Sequence, residues 1–266
     1  MVLLDLETTI PVGVKRKRTK PLWKRARKLH ASAAWSIKME SSNQEIRNRV
    51  HLREIYRYLG YGAKIPENNI QNLITEVLDA LLCAIKPKNI YKVFHSNISE
   101  NQVLLKESDR TLVFESQNLA DNLAQCSTVV LLAATLGIEA DKLLQRYEIM
   151  HMTKAAIAQA CGAACIEAYC NILQEQILQE LSKEGARLYL RPRFSPGYGD
   201  LPLQYQRVIF QELECTKRIG LTLTDSLLMY PTKSVSALIG LTANPQSCHI
   251  GKCSQCDNTT CAFRAV

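Results

Sequence analysis

Between residues 66 and 87 the apolar side chains Ile70, Leu73, Ile74, Val77, Leu78, Leu81, Leu82 and Ile85 return at three- and four-residue intervals, with Pro66 and Glu67 ahead and Pro87 behind. That is helix period bounded by residues that punctuate helices, and it predicts an amphipathic helix. Residues 52–59 read as a shorter helix stopped at Gly60, and 103–114 alternate loosely, as strands do. The uncharged run Thr128–Thr135 before Gly137 predicts a buried strand, although its period alone leaves a helix open. From 139 to 182 the pattern is helical, as two helices or one kinked one. Its middle is crowded with small residues (Ala158, Cys161, Gly162, Cys165), a face that lets another backbone approach. Residues 187–191 alternate like a strand and 204–213 read as a helix. Two late strands are expected, one through Ile219, Leu221 and Leu223, the other through Val235, Ala237, Ile239 and Leu241.

Long helices mixed with non-consecutive strands argue for an α+β domain rather than regular βαβ winding. The chain has 266 residues, 47% of them hydrophobic and 22% charged, enough to bury a sizeable core. The formal charge of +8 is uneven: residues 1–38 hold ten Lys and Arg against Asp5 and Glu7, leaving 23 basic and 23 acidic residues beyond them. A neutral body is a poor phosphate-binding face, so nucleic acid is not expected as a partner. The apolar run that starts at Ala155 stops at Glu167, short of the roughly 20 residues a membrane span needs, and no membrane association is expected. Ten cysteines with no secretory pattern at the N-terminus point to thiols or metal ligands in a reducing, cytoplasmic setting.

The segment 15–28 has nine cations and no acid, so it buries little. It reads as a solvated tail, as an Arg-rich targeting or anionic-surface segment containing Trp23, or as sequence ahead of a translation start at Met39. The chain therefore divides into a basic appendage (1–38), one domain (39–245) and a Cys-rich tail (246–266).

The most unusual string is Arg191-Pro192-Arg193-Phe194-Ser195-Pro196-Gly197-Tyr198-Gly199-Asp200. Two prolines and two glycines make an ordered loop after a strand. A guanidinium at Arg193 can clamp a carboxylate through two parallel hydrogen bonds, Tyr198 can stack beside it, and Gly197 lets backbone amides come close to a ligand. The same residues also fit a surface turn in which Arg193 pairs with a neighbouring acid.

R-x-x-x-G-Y, here Arg193, Gly197 and Tyr198, resembles the S-adenosylmethionine-binding motif of the activation domain of vitamin B12-dependent methionine synthase. Residues 54–61 (E-I-Y-R-Y-L-G-Y) resemble the opening helix of its stand-alone members. Residues 134–137 (A-T-L-G) match a shared segment, and Met229-Tyr230-Pro231 with Ser234-Val235-Ser236 resemble the M-x-P-x-x-S-V-S element. The resemblance spans about 45–245. It implies a C-shaped single domain with helices around a twisted antiparallel sheet. It also implies a methyltransferase component, inactive alone, that docks on a cobalamin-binding methionine synthase subunit. There, one electron from a flavodoxin-like or ferredoxin-like donor and the sulfonium methyl restore methylcobalamin from cob(II)alamin.

In residues, the resemblance implies that Arg193 holds the methionyl carboxylate, Ser195 makes backbone contacts and Tyr198 sits by the adenosyl or cobalamin face. Ile239 and Gly240 align with an aromatic pair, which leaves them backbone contacts only. An N-terminal acidic contact falls near Glu54, and Glu167 matches an acidic helix position; an ordinary solvated glutamate fits Glu167 equally. No G-x-G-x-x-G follows a strand, so a dinucleotide-type methyltransferase fold has no fingerprint here. No histidine or carboxylate pair forms a catalytic constellation.

Cys248, Cys253, Cys256 and Cys261 fall within fourteen residues as C-x4-C-x2-C-x4-C. Four thiolates at this density suit zinc or an iron–sulfur cluster, and a reduced thiol-rich tail remains the plain alternative. A cluster there would relay the reactivating electron, and zinc would be a structural clip. The rival reading of the chain is a metal or iron–sulfur accessory protein for another corrinoid methyltransferase.

Overall fold

The computed structural model describes residues 42–107, 110–182 and 187–244. The basic appendage and Cys248, Cys253, Cys256 and Cys261 lie outside them. In chain order the helices are α1 (Ser42–Arg49), α2 (Leu52–Tyr58), α3 (Asn68–Ala84), α4 (Gln117–Asn122), α5 (Ile138–Met150), α6 (Met152–Ser182), α7 (Tyr205–Glu212) and α8 (Cys215–Ile219). The strands are β1 (Lys88–Ile98), β2 (Gln102–Glu107), β3 (Arg110–Glu115), β4 (Thr128–Thr135), β5 (Tyr189–Leu190), β6 (Thr222–Leu223), β7 (Met229–Tyr230) and β8 (Ser234–Thr242). Six strands form one sheet in the order β3-β2-β1-β4-β8-β5, antiparallel throughout, and β6-β7 form a separate ribbon. This is the α+β arrangement expected from the mixed pattern.

The pleat of β4 organises the core. All eight of its residues are buried, and alternate side chains point to opposite faces of the sheet. Val130, Leu132 and Ala134 pack with residues of α1, α2, α3, α5 and α6, including Ile74, Leu81 and Tyr169. Val129, Leu131 and Ala133 pack with Leu119 of α4, Ile209 and Phe210 of α7, and Phe194 and Leu201 of the Pro/Gly loop. Burial on both faces explains why the run has no polar alternation.

α6 is the one described helix long and apolar enough, by length and composition, to cross a membrane. Yet 72% of its most apolar window is buried against the rest of the domain. At Gly162 a lysine stem fills the space the small residue leaves: a Cβ there would lie 2.8 Å from Cε of Lys233. Cys161, Cys165 and Cys170 are buried core side chains, and burial pushes the thiols of Cys161 and Cys170 up to about 12.

Two strand expectations change. Ile219 closes α8 rather than opening a strand, because Gly220 at φ +69° ends the helix in the left-handed region, and only Thr222–Leu223 pair with Met229–Tyr230. Of residues 187–191 only Tyr189–Leu190 form ladder pairs with β8. The pattern also left β1 unannounced, although it is the longest strand described.

Candidate functional site

The Pro/Gly loop begins as an edge of the sheet. Leu190 pairs with Leu241, the Arg191 N–H donates to the Gly240 carbonyl at 2.8 Å, and Phe194 and Leu238 exchange bonds of 3.0 and 2.8 Å. Two residues, Pro192 and Arg193, thus stand opposite one, Ile239. This is a bulge, which tolerates the proline and re-aims the side chain beside it. Phe194 turns into the α4/α7 side of the core, whereas Arg193 lines an open groove on the other side. Its neighbour Arg191 is structural: buried, it donates through Nη2 to the Ala124 carbonyl at 2.6 Å.

Beyond the bulge the chain makes a tight Pro-Gly turn. The Tyr198 N–H donates to the Ser195 carbonyl at 3.1 Å, with Gly197 at φ +92°, as a type II turn requires at its third residue. The loop is then anchored to α4. Asp200 accepts from the Ser116 hydroxyl and from the N–H groups of Gln117 (2.8 Å) and Asn118 (3.2 Å), while its own N–H donates to Asn118 Oδ1 at 3.3 Å. These bonds, led by the Ser116 hydroxyl, hold the Asp200 carboxyl below its ordinary value. Gly199, at φ +53°, has no room for a side chain: a Cβ would lie 2.2 Å from Asn118 Oδ1.

The groove has a volume of about 740 Å³, inside the roughly 300–1,000 Å³ of small-molecule sites. Arg193, Ser195, Tyr198 and Gly199 of the loop line one wall, Glu167, Asn171 and Gln174 of α6 another, and Pro192 and Val235 also reach it. The Arg193 side chain is only 16% exposed. Its Nη2 donates to Glu167 Oε2 at 2.5 Å, and Nη1 donates to Asn171 Oδ1 at 2.8 Å and to the Gln174 side-chain oxygen. Tyr198 is 55% exposed, with its ring edge-on to Phe194 at 6.4 Å between centroids.

The expected site residues are therefore only partly brought together. Arg193, Ser195, Tyr198 and Glu167 share the groove, and Gly197 shapes the turn beside it. Glu54 does not line it; its carboxylate pairs with Arg57 at 2.5 Å, and the Arg57 guanidinium lies 4.7 Å over the Tyr58 ring. The phenol of Tyr58, on α2, is pushed up first by burial and then by the charge of Glu167.

Ile239 and Gly240 are not among the residues that line the groove. Ile239 is 1% exposed and belongs to the helix-side core, and Gly240 spends its carbonyl on Arg191. Packing accounts for the glycine, since a Cβ there would lie 2.5 Å from Cys126 Sγ and 2.9 Å from Leu123 Cδ2.

Asn171 and Gln174 were not anticipated. Their signal is spacing: with Glu167 they fall at i, i+4 and i+7, on one face of α6. The M-Y-P stretch, with a cis Tyr230–Pro231 bond, is tied to α5 by Asp141, which accepts from the Thr232 N–H at 2.8 Å and from its hydroxyl. Among the described residues, no group of three or more His, Cys, Asp or Glu is placed to hold a metal ion.

The profile of the vitamin B12-dependent methionine synthase activation domain matches residues 71–264. The chain belongs to that family. The match includes the Arg193 loop, the S-V-S element and all four C-terminal cysteines. A solved structure of the MetH reactivation domain bound to AdoHcy shares the fold, with a TM-score of 0.57 and 20% identity over 77% of each chain. No curated protein matches the chain. As an activation domain, the α+β body carries its groove where the R-x-x-x-G-Y loop crosses the sheet edge.

Proposed function

We propose that this activation-family chain binds S-adenosylmethionine in the Arg193 groove and serves the reductive remethylation of a separate cobalamin-dependent methionine synthase. The observation that carries the reading is the cation–anion pair of Arg193 and Glu167 on facing walls of one groove. An amino-acid end carries one carboxylate and one ammonium. The fork suits the first, and the Glu167 carboxylate suits the second or the neighbouring sulfonium. The groove volume is adequate for a nucleoside. The relative bound to AdoHcy holds the demethylated form of the same molecule.

The protein's share is binding and orientation. The turn at Gly197 brings backbone close to the ligand, and the exposed Tyr198 ring stands at the mouth, where a partner must approach. On the partner, the cobalamin cobalt takes the sulfonium methyl together with one electron from a flavodoxin-like or ferredoxin-like donor, and S-adenosylhomocysteine leaves. The neutral body and ten cysteines support work in a reducing cytoplasm beside that partner.

The test has two arms. Calorimetry should show S-adenosylmethionine binding to the chain alone. Added to a cobalamin-bearing methionine synthase inactivated by oxidation, with S-adenosylmethionine and reduced flavodoxin, the chain should restore activity. Binding without restoration would overturn the assigned reaction, and no binding would overturn the assigned ligand.

A further inference from the structure

Arginine has N–H donors and no acceptor. This fixes the orientation of the two amides that meet Arg193. The oxygens of Asn171 and Gln174 must face the guanidinium, so the NH2 end of each is turned away from it. Both residues line the groove, Asn171 exposed and Gln174 half-buried, and among the described residues neither amide nitrogen has a protein hydrogen-bond partner. The groove therefore holds two uncommitted amide donors, one helical turn apart on α6, flanking its cation.

A ligand carboxylate that approached Arg193 alone would compete with Glu167 for the Nη2 edge. An anion seated against the amide donors meets no such competition, because a carboxylate offers about four lone-pair positions and can accept from several donors at once. We infer that Asn171 and Gln174 are ligand-binding residues that donate to the carboxylate of the amino-acid end, so that Arg193 and Glu167 stay paired when the groove is filled. This rests on the S-adenosylmethionine reading above. It assigns the carboxylate to a three-pronged site of one guanidinium and two amides, and it leaves the outer side of Glu167 for the cationic end of the ligand.

The rival role is purely mechanical, with both amides only holding Arg193 in place. Gln174→Glu and Asn171→Asp separate the two. Each keeps the oxygen that Arg193 binds, and strengthens it with charge, while replacing the NH2 donor with an acceptor. Mechanical support therefore predicts unchanged or tighter ligand binding. The charge added to the groove also favours a ligand that is cationic overall, so a loss of affinity would run against both trends.

Calorimetric titration of the full chain should use S-adenosylmethionine and 5′-methylthioadenosine, which lacks the amino-acid end. Each variant is expected to weaken S-adenosylmethionine at least tenfold and methylthioadenosine less than twofold. Unchanged or tighter S-adenosylmethionine binding in both variants would overturn the inference, and so would an equal loss for the two nucleosides. Failure of the wild-type chain to bind S-adenosylmethionine would instead sink the reading beneath it. Thermal unfolding of each variant confirms that the domain is intact, and either substitution suffices if the other fails to fold.

Discussion

Arg193 Nη2 lies 2.5 Å from Glu167 Oε2, joining the bulged edge of the sheet to the longest helix across 26 residues of sequence. The arginine is mostly covered and the glutamate is half-exposed, so the pair sits at the boundary of the groove rather than inside the core. A guanidinium so placed is held in one orientation before any ligand arrives, which lowers the ordering cost of binding.

Arg193→Ala should lose about 1.5–3 kcal/mol of S-adenosylmethionine affinity, or roughly ten- to 150-fold, the worth of hydrogen bonds to a charged group. Arg193→Lys should recover only part of this, because an ammonium lacks the planar fork. Calorimetric Kd values for the three proteins check both statements, and equal affinity across them would remove Arg193 from the site.

Gly199→Ala should unsettle the loop. The added methyl meets Asn118 Oδ1 at 2.2 Å in a left-handed backbone that costs a residue other than glycine about 1–2 kcal/mol. The expected outcome is a lower Tm together with weaker S-adenosylmethionine binding. A variant that binds normally would show that the α4 anchor does not shape the groove.

Gly240→Ala separates packing from ligand contact. Crowding against Cys126 and Leu123 should cost about 1–3 kcal/mol of stability, while S-adenosylmethionine affinity stays within about twofold. Removing the sulfur in Gly240→Ala/Cys126→Ala should restore part of the stability. A selective loss of affinity at unchanged Tm would return Gly240 to the binding site.

Asp200 predicts an acid dependence of definite sign. Its folded carboxyl titrates below its ordinary value of 3.8, chiefly through the Ser116 hydroxyl and then through the backbone N–H groups of Gln117 and Asn118. The folded state thus binds fewer protons than the unfolded one in this range. Its contribution is complete above pH 3.8 and disappears as pH falls through the lowered folded value. Asp200→Asn should flatten that part of the profile of Tm against pH; an unaltered profile would discount the anchor.

The core thiols predict a labelling pattern. With burial raising Cys161 and Cys170 to about 12 and Cys165 upward as well, these side chains remain thiols at pH 8. In a variant with Cys248, Cys253, Cys256 and Cys261 changed to serine, Cys83, exposed on α3, should react with a thiol reagent at once. The three α6 thiols should react only on unfolding. Rapid labelling of any of the three would mean that α6 opens in the native protein.

The sequence by itself determined α3 from its three-and-four spacing and the helical character of 139–182, while its uncharged stretch favoured a strand at β4 and the packing on both faces of the sheet decided between strand and helix. It also determined the loop that carries Arg193, because paired proline and glycine dictate a turn wherever they stand. It did not announce β1, in which Ile90 and Phe94 face one side of the sheet and Tyr91 the other, blurring any alternation. It suggested a strand through Ile219 and Leu221 from an alternation that Gly220 interrupts. Only the tertiary structure decided what the site contains. The register between the 189–194 segment and β8 creates the bulge that aims Arg193 at α6, and packing of α6 on the sheet sets Glu167, Asn171 and Gln174 before it. Those contacts join residues 19 to 26 positions apart through space, and no local preference encodes them. The same packing set Gly240 against Cys126 and Leu123, whose side chains fill the space a Cβ would need.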